Sequence, residues 1–447
     1  MLTKKYVYGS LALAVMLACG SAQADVTENI DASEKDFASA DNVNYTGDAK
    51  NGIYATAGKT VDLTGKNINF AISGGEKGTM YIGVFSNATD SNGGGLVNLG
   101  GENTKNITLD VKNTGSHYAV GVRAYKGNDI NSKVPSKIVV SGENFTINAH
   151  SENFLAVGLM AQNCTANETA LNESGGEEGR SSIIVNAKNT VINVTSGITE
   201  PVGGEYANVG IMNYSQGKVE INNNLTINAG TAISTRGYAE TKINEDGKGT
   251  VKINGDINFS YDELTSGTTV DATVDINLTN KDSFLNGNIF VTGNPPEGKD
   301  KVTEMNLSMK DGASWTSDKD SFVNNLTLDG GIITAKNANQ TITVGKLSGT
   351  GDINLAATTD GESITAGKVV ITDGTDATLN TTFTGITADD IKDVDKALES
   401  IKDNVSDVAH SNTITEGDIN GAITQNVASD GTAGTVTVAS NTKIDGY

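Results

Sequence analysis

One five-residue phrase recurs through the first half of this chain and restricts its fold more than any other feature. It reads Tyr81-Ile82-Gly83-Val84-Phe85, then Ala119-Val120-Gly121-Val122-Arg123, Ala156-Val157-Gly158-Leu159-Met160 and Asn208-Val209-Gly210-Ile211-Met212. The glycines stand 38, 37 and 52 residues apart. A second phrase keeps step with the first: Val97-Asn98-Leu99, Ile138-Val139-Val140, Ile183-Ile184-Val185 and Val219-Glu220-Ile221. A third follows each of these: Ile107-Thr108-Leu109-Asp110-Val111, Phe145-Thr146-Ile147, Val191-Ile192-Asn193-Val194 and Leu225-Thr226-Ile227. An earlier copy of the last two stands at Val61-Asp62-Leu63 and Ile68-Asn69-Phe70. A period of this length marks a solenoid, whose units bury their apolar faces only by stacking.

Each unit holds three short segments in which apolar and polar residues alternate, so one side chain in two faces inward. Three strands per turn around a filled interior is the arithmetic of a right-handed parallel β-helix. The expected class is all-β, with coils about 4.8 Å apart. Residues 45–356 would then form on the order of ten coils, a rod of roughly 50 Å. Abundant Asn and Thr are expected to stack at turns and hydrogen-bond along the axis. A β-sandwich array competes, but Asn-Gly hairpin signals are few.

The long spacing between Gly158 and Gly210 comes from Gln162 to Ser181, a polar connection carrying Glu168, Glu173, Glu177 and Glu178. The matching connections in the preceding coils run from Ser86 to Gly95 and from Tyr125 to Ser136. All three leave the helix at one corner, so stacking sets them side by side, where repeat proteins often bind. Free tolerance of surface insertions explains the same loops equally well. Beside them, Phe85, Arg123, Met160 and Met212 read as an outer stripe flanking the glycines. That stripe, with Tyr81 and the four glutamates, is the candidate contact surface.

The first 24 residues decide the compartment. Lys4 and Lys5 precede an apolar run from Leu11 to Ala18, and Ala22-Gln23-Ala24 supplies a small-x-small cleavage signal. This is the pattern of a secretory signal peptide, cleaved after Ala24. Cys19 offers a competing lipoprotein site, with Met16 where Leu is usual. No later apolar run approaches the ~20 residues of a membrane helix, so the mature chain reads as soluble. Cys164 is the one cysteine left, so stability must come from a large core rather than a disulfide. The formal charge of -22, with only Arg123, Arg180 and Arg236 as arginines, argues against nucleic acid. It suits a secreted surface that must stay soluble.

Polysaccharide lyases also use the β-helix, so catalysis is a competing reading. Such sites need paired carboxylates, or an acidic cation cluster with Arg or Lys on one face. Arg123 is the only arginine on a recurrent strand, and His117, His150 and His410 share no metal-like spacing. No Gly-x-Ser-x-Gly elbow is present. No catalytic residue, metal or cofactor is therefore assigned, and the reading is a non-enzyme. The alternative kept open is a carbohydrate-active lyase or hydrolase on the same scaffold.

From about Ile276 the strands lengthen. Met305 to Thr316 carries Gly312-Ala313-Ser314-Trp315, the only tryptophan; Val323-Asn324-Asn325-Leu326-Thr327-Leu328-Asp329-Gly330-Gly331 follows, then Leu347-Ser348-Gly349-Thr350-Gly351-Asp352-Ile353. This order resembles the C-terminal passenger region of bacterial autotransporters. There a Gly-x-x-Trp turn, an Asn-x-Leu-Thr-Leu strand, a Gly-Gly turn and a Leu-Ser-Gly-x-Gly segment close the β-helix. The resemblance covers about 50 residues closely. It implies an autochaperone-like segment whose core is Trp315, Leu326, Leu328, Leu347 and Ile353, with Gly330, Gly331, Gly349 and Gly351 at its turns. It also implies secretion through the inner membrane to the cell surface, outer membrane or medium, and an adhesin's ligand on a host or neighbouring cell. The chain departs from the family after Leu355, where no dozen amphipathic barrel strands follow. An outer-membrane β-barrel translocator would then act in cis if the chain is a fragment, or otherwise in trans; without one the protein stays periplasmic. A fragment fits best, because Val436-Thr437-Val438 sits in a strand pattern without a terminator.

The organisation expected is a signal peptide at 1–24, a lead-in at 25–44, a repeat region at 45–300, autochaperone-like coils at 301–356 and a linker or tail at 357–447, in which Ala356 to Thr384 reads as either weak strands or a flexible linker. One helix is predicted in that tail at about 388–408. Ile391, Val394, Leu398, Ile401, Val405 and Val408 form its apolar seam, Thr387 and Asp390 its cap. Packing on the end of the β-helix suits it better than a stalk.

Overall fold

Apolar and β-branched residues alternate with polar ones in nearly every short segment, and only an extended strand sends such an alternation to two opposite sides. In the computed structural model the described residues are 25–88, 93–127, 134–163, 179–199, 207–237, 239–260, 272–292, 304–374, 376–418 and 421–439. Within them the strands coil into a parallel β-helix with three faces. Face A carries the recurring glycine phrase, in Tyr81–Ala88, Ala119–Lys126, Ala156–Asn163 and Asn208–Tyr214. Face B follows in Leu96–Leu99, Lys137–Val140, Ser182–Val185 and Lys218–Ile221. Face C follows in Asn67–Gly74, Asn106–Asn113, Asn144–Ser151 and Asn189–Ser196.

One inward column on face C shows the register of the whole rod. Tyr45, Phe70, Leu109, Ile147, Ile192, Ile227, Ile253, Leu285, Trp315, Ile333, Ile353, Thr381 and Asn412 lie opposite one another through successive parallel pairs. At about 4.8 Å per step the column spans on the order of 55–60 Å. It begins earlier than the sequence implied, because Ile30–Ala32, Phe37–Ser39 and Val43–Gly47 already form the first coil within the expected lead-in. A single continuous core joins Ile30 to Ile423.

Two corrections concern the tail. Residues 364–387 form no linker: Ile364–Ala366, Lys368–Asp373 and Ala377–Thr387 are strands, the last two in parallel register with Thr341–Thr359. Of the two readings their composition allowed, weak strands or a linker, strands hold, with Val369, Ile371, Ala377, Leu379, Thr381 and Phe383 buried in alternation. The helix is shorter than its apolar seam. Thr387 and Asp390 cap only the short 3-10 turn Ala388–Asp390, and Asp393 caps the α-helix Val394–Ile401 by accepting from Lys396 N at 3.1 Å. Ile391, Val405 and Val408 are buried beyond its ends. The helix packs against the end of the coil, where the Ser400 hydroxyl accepts from Ile364 N at 2.9 Å. Beyond it, Ala409–Thr415 adds one more parallel strand to Ala377–Thr387, and Ile423–Val427 and Ala433–Val438 follow it antiparallel.

Asparagine stacking is present but lies along strands of face C as well as at turns. Asn148, Asn193, Asn228, Asn254 and Asn286 each donate Nδ2 to the Oδ1 of the residue one coil earlier, starting from Asp110, at 2.6–3.2 Å. A parallel ladder runs from Asn67 through Asn106, Asn144 and Asn189 to Asn224.

Candidate functional site

The glycine phrase fixes the outer surface of face A. A side chain on Gly121 would place its Cβ 2.4 Å from Ile147 Cγ2 and 2.7 Å from the Gly158 carbonyl; Gly158 and Gly210 are equally crowded. The glycines therefore face the interior and let the strand approach the opposite wall. They are no part of an outer contact stripe, as the sequence reading had them. The residue after each glycine also faces inward, so the alternation slips by one. Residues on either side of that pair both point away from the main core: Ile82, Val120, Val157 and Val209 in one row, Phe85, Arg123, Met160 and Met212 in the next.

The second row is in register from coil to coil, and it starts one coil earlier at Tyr54. Its two ends differ. Met160 and Met212 are buried, joining Ile82, Val120, Val157, Val209 and Tyr214 in an apolar cluster separate from the main core. Those methionines are packing residues rather than exposed contacts. Tyr81 is also buried, its ring seated where Gly74 has no side chain, so it too belongs to the core. Tyr54, Phe85 and Arg123 stay half-buried.

These three residues collect further aromatic groups. Tyr54 and Phe85 have ring centroids 5.5 Å apart. The Arg123 guanidinium lies 5.3 Å from the Phe85 centroid and 4.4 Å from that of Tyr125, a geometry in which the ring quadrupole attracts the cation. Arg123 Nη1 donates toward Met80 Sδ at 3.4 Å, and Asn87 Nδ2 donates to the Tyr54 hydroxyl at 3.1 Å. At the other edge of face A, His117, Tyr118 and Phe154 form an aromatic trio with centroids 5.0–5.8 Å apart. Burial, with the charge of Arg123 nearby, holds His117 below its ordinary pKa, so it is neutral at pH 7. The result is a half-exposed aromatic field with one cation held against it.

Sequence reasoning missed Tyr54 and Tyr125. The signal was available, since Gly52-Ile53-Tyr54 is an early copy of the glycine phrase and Tyr125 lies two residues past Arg123.

The strand ends place most of the long connections at the corner between faces A and B, while residues 197–207 join a face C strand to a face A strand. Residues 89–95, 127–136, 164–181, 261–272 and 293–303 all join a face A strand to a face B strand. Two other coils close the same corner with only residues 215–217 and 237–239. Glu168, Glu173, Glu177 and Glu178 lie outside the described residues, as does the signal segment. Polar groups line the corner itself: Ser86 Oγ donates to Gly95 O, Ser136 Oγ to Tyr125 O, and Asn163 Nδ2 to Gln216 Oε1.

A second concavity of 790 Å³ lies outside face C, bordered by Gly47, Ala71, Asp110, Lys112, Asn148 and His150. Asp110 accepts from Asn148, and Lys112 is tied to Glu152 at 2.9 Å. The residues of the Trp315 to Ile353 phrases sit in the core. Trp315 is fully buried, and its Nε1 donates to Gly287 O at 3.0 Å. Leu326, Leu328, Leu347 and Ile353 are buried in the coils that follow. Gly330 and Gly349 adopt φ of +77° and +86°, where a side chain is strained. Gly331 and Gly351 leave room for Met309 and Leu328. Among the described residues no group of three or more His, Cys, Asp or Glu side chains is placed to hold a metal, and no helix is long and apolar enough to cross a membrane. In comparisons with known proteins, no family, no curated sequence and no solved structure matches this chain.

Proposed function

We propose that this chain is an exported bacterial cell-surface protein, the passenger of an autotransporter-type system, and that it acts as an adhesin. The observation that carries the binding part is that four of the five connections of ten or more residues before residue 304, all but 197–207, leave at the A–B corner, beside the half-exposed Tyr54–Phe85–Arg123 row. Surfaces that bind are built by loops presented side by side on a rigid scaffold. The signal-like leader and the ordered Trp315, Leu326–Leu328 and Leu347–Gly351 phrases support export and the autochaperone-like role. The translocating barrel acts in cis or in trans. The acidic surface favours an uncharged or cationic target over a polyanion.

The test uses the short corners of the same protein. Replacing residues 164–181 by a three-residue turn copied from 215–217 should leave the circular-dichroism spectrum and melting transition in place. Binding of the labelled protein to intact cells should fall severalfold. Unchanged binding, with residues 89–95 and 127–136 shortened as well, would remove the corner from the adhesin reading.

The face C groove favours a second reading, a carbohydrate-active enzyme, because it sets Asp110, Lys112 and His150 along one shallow channel. Under that reading Asp110→Asn abolishes turnover of a polysaccharide. Under the adhesin reading, the same change leaves cell binding untouched.

A further inference from the structure

The Tyr54–Phe85–Arg123 row offers more than apolar area, because a buried amide lies at its edge. Arg123 stands in register with Phe85, and Tyr125 with Asn87, so successive coils set two adjoining columns on one patch. At about 4.8 Å per coil, the three coils from Tyr54 to Arg123 span about 10 Å along the rod. Tyr54, Phe85, Arg123 and Tyr125 are each half-buried, so part of every one meets solvent. Asn87 is only 7% exposed. Its Nδ2 donates to the Tyr54 hydroxyl at 3.1 Å, while its Oδ1 is buried with no hydrogen-bond partner. A buried amide oxygen without a donor is costly, and a donor brought by a ligand relieves that cost. The Tyr54 hydroxyl, having accepted from Asn87, keeps its own proton to donate.

We infer that this patch is a glycan platform, which takes an uncharged pyranose oligosaccharide; the inference rests on the reading of this row as the contact surface and names its ligand. The C–H face of a pyranose carries partial positive charge, which the negative face of an aromatic ring attracts. The Phe85 and Tyr125 rings already attract the Arg123 guanidinium in the same way. The sugar hydroxyls supply what the rings cannot: one donates to Asn87 Oδ1, and another accepts from the Tyr54 hydroxyl. Charge and topology select against other ligands. Arg123 within the patch repels a cation, and the net charge of -22 over the chain opposes a polyanion. A peptide finds no strand edge to extend, because Tyr81–Ala88 pairs with Asn51–Ala55 on one side and Ala119–Lys126 on the other.

The experiment applies the purified chain to an array of immobilised neutral oligosaccharides, sialylated oligosaccharides and peptides, then titrates the best neutral sugar by calorimetry. The expected result is binding confined to neutral oligosaccharides. Phe85→Ala should weaken it at least about tenfold while the melting transition holds, and Phe85→Trp should keep it. Among monodeoxy analogues of the bound sugar, one should bind the parent at least about tenfold more weakly than the full sugar does. Against Asn87→Ala, that analogue and the full sugar should bind alike. No neutral sugar bound, binding of sialylated sugars or peptides alone, or sugar binding indifferent to Phe85→Ala would overturn the inference. Intact cells separate its failure from that of the adhesin reading. Mild periodate, which cleaves sugar diols, should strip the cells of their capacity to bind the protein. Binding that survives periodate and disappears after protease would overturn the glycan and leave the adhesin standing. Cells that never bind, beside an array that does, would keep the glycan and sink the adhesin.

Discussion

The coils before residue 260 and those after residue 304 share one three-faced plan but spend their residues differently. In the coils up to Tyr214, the strands run no longer than eight residues and long connections interrupt them, mostly at one corner; the interior is mostly Val, Ile and Leu. In the later coils two strands, Ser321–Ala335 and Thr341–Thr359, pass through corner after corner without a break in extended structure. Glycines with positive φ make those corners, at Gly330 and Gly349. The largest buried side chain, Trp315, stands at the start of this compact region. Under the proposed function, contact belongs to the earlier coils and cohesion to the later ones.

The largest expected effect separates the two regions most sharply. Trp315→Ala removes a fully buried ring and should cost about 3–5 kcal/mol in chemical denaturation. Phe85→Ala, on the half-exposed row, should cost less than about 1 kcal/mol. Equal losses would erase the distinction.

Gly121→Ala comes next. Its new Cβ would meet both Ile147 and the Gly158 backbone at under 3 Å, so overpacking of about 1–3 kcal/mol is expected. A neutral result would place the glycine column outside the core and restore the outer stripe read from the sequence.

The third effect depends on pH and lies at the far end of the later coils. There the inward column turns polar, at Thr381 and Asn412, and His410 lies buried beside them. The His410 Nδ1 faces the Val408 carbonyl at 2.9 Å and so carries the proton, leaving Nε2 unprotonated without a partner. Burial pushes its pKa down, against the opposing pull of backbone hydrogen bonds and of Asp403. The unfolded chain, with a histidine pKa of about 6.5, binds the proton more readily. The contribution of neutral His410 is thus whole above pH 6.5 and is lost as pH falls below it toward the folded value. Hydrogen exchange in 377–427 should accelerate on acidification while residues 144–196 hold, and His410→Gln should flatten that dependence. The smallest effect is expected from the asparagine ladder, where Asn193→Ala removes two exposed hydrogen bonds at a cost of about 1 kcal/mol or less.

Much of the fold was legible because a repeat prints its register directly: spacing the glycines by 38 and 37 residues aligns Phe85 with Arg123 and Arg123 with Met160. The direction of those side chains was not legible. Strict alternation puts a glycine and its successor on opposite sides, whereas here both face inward, which requires a local slip that periodicity cannot reveal. Burial of Met160 and Met212 depends on what lies over face A, another tertiary fact. In the tail, alternating Thr and apolar residues carried the strand signal, but polar composition left a linker equally open. Six apolar residues at helical spacing overstated the helix, because Asp393 caps it after Ile391 and the chain extends again before Val405.

The central claim is that contact belongs to the outer surface of the earlier coils. Its most direct test is a cell-binding isotherm for the double variant Phe85→Ser with Arg123→Ser, beside a control, Asn148→Ala with Asn193→Ala, on face C. The account predicts that the first variant loses most of its binding while its melting transition stays near the parent's, and that the control binds as the parent does. Full binding by the first variant, or loss confined to the control, would contradict it.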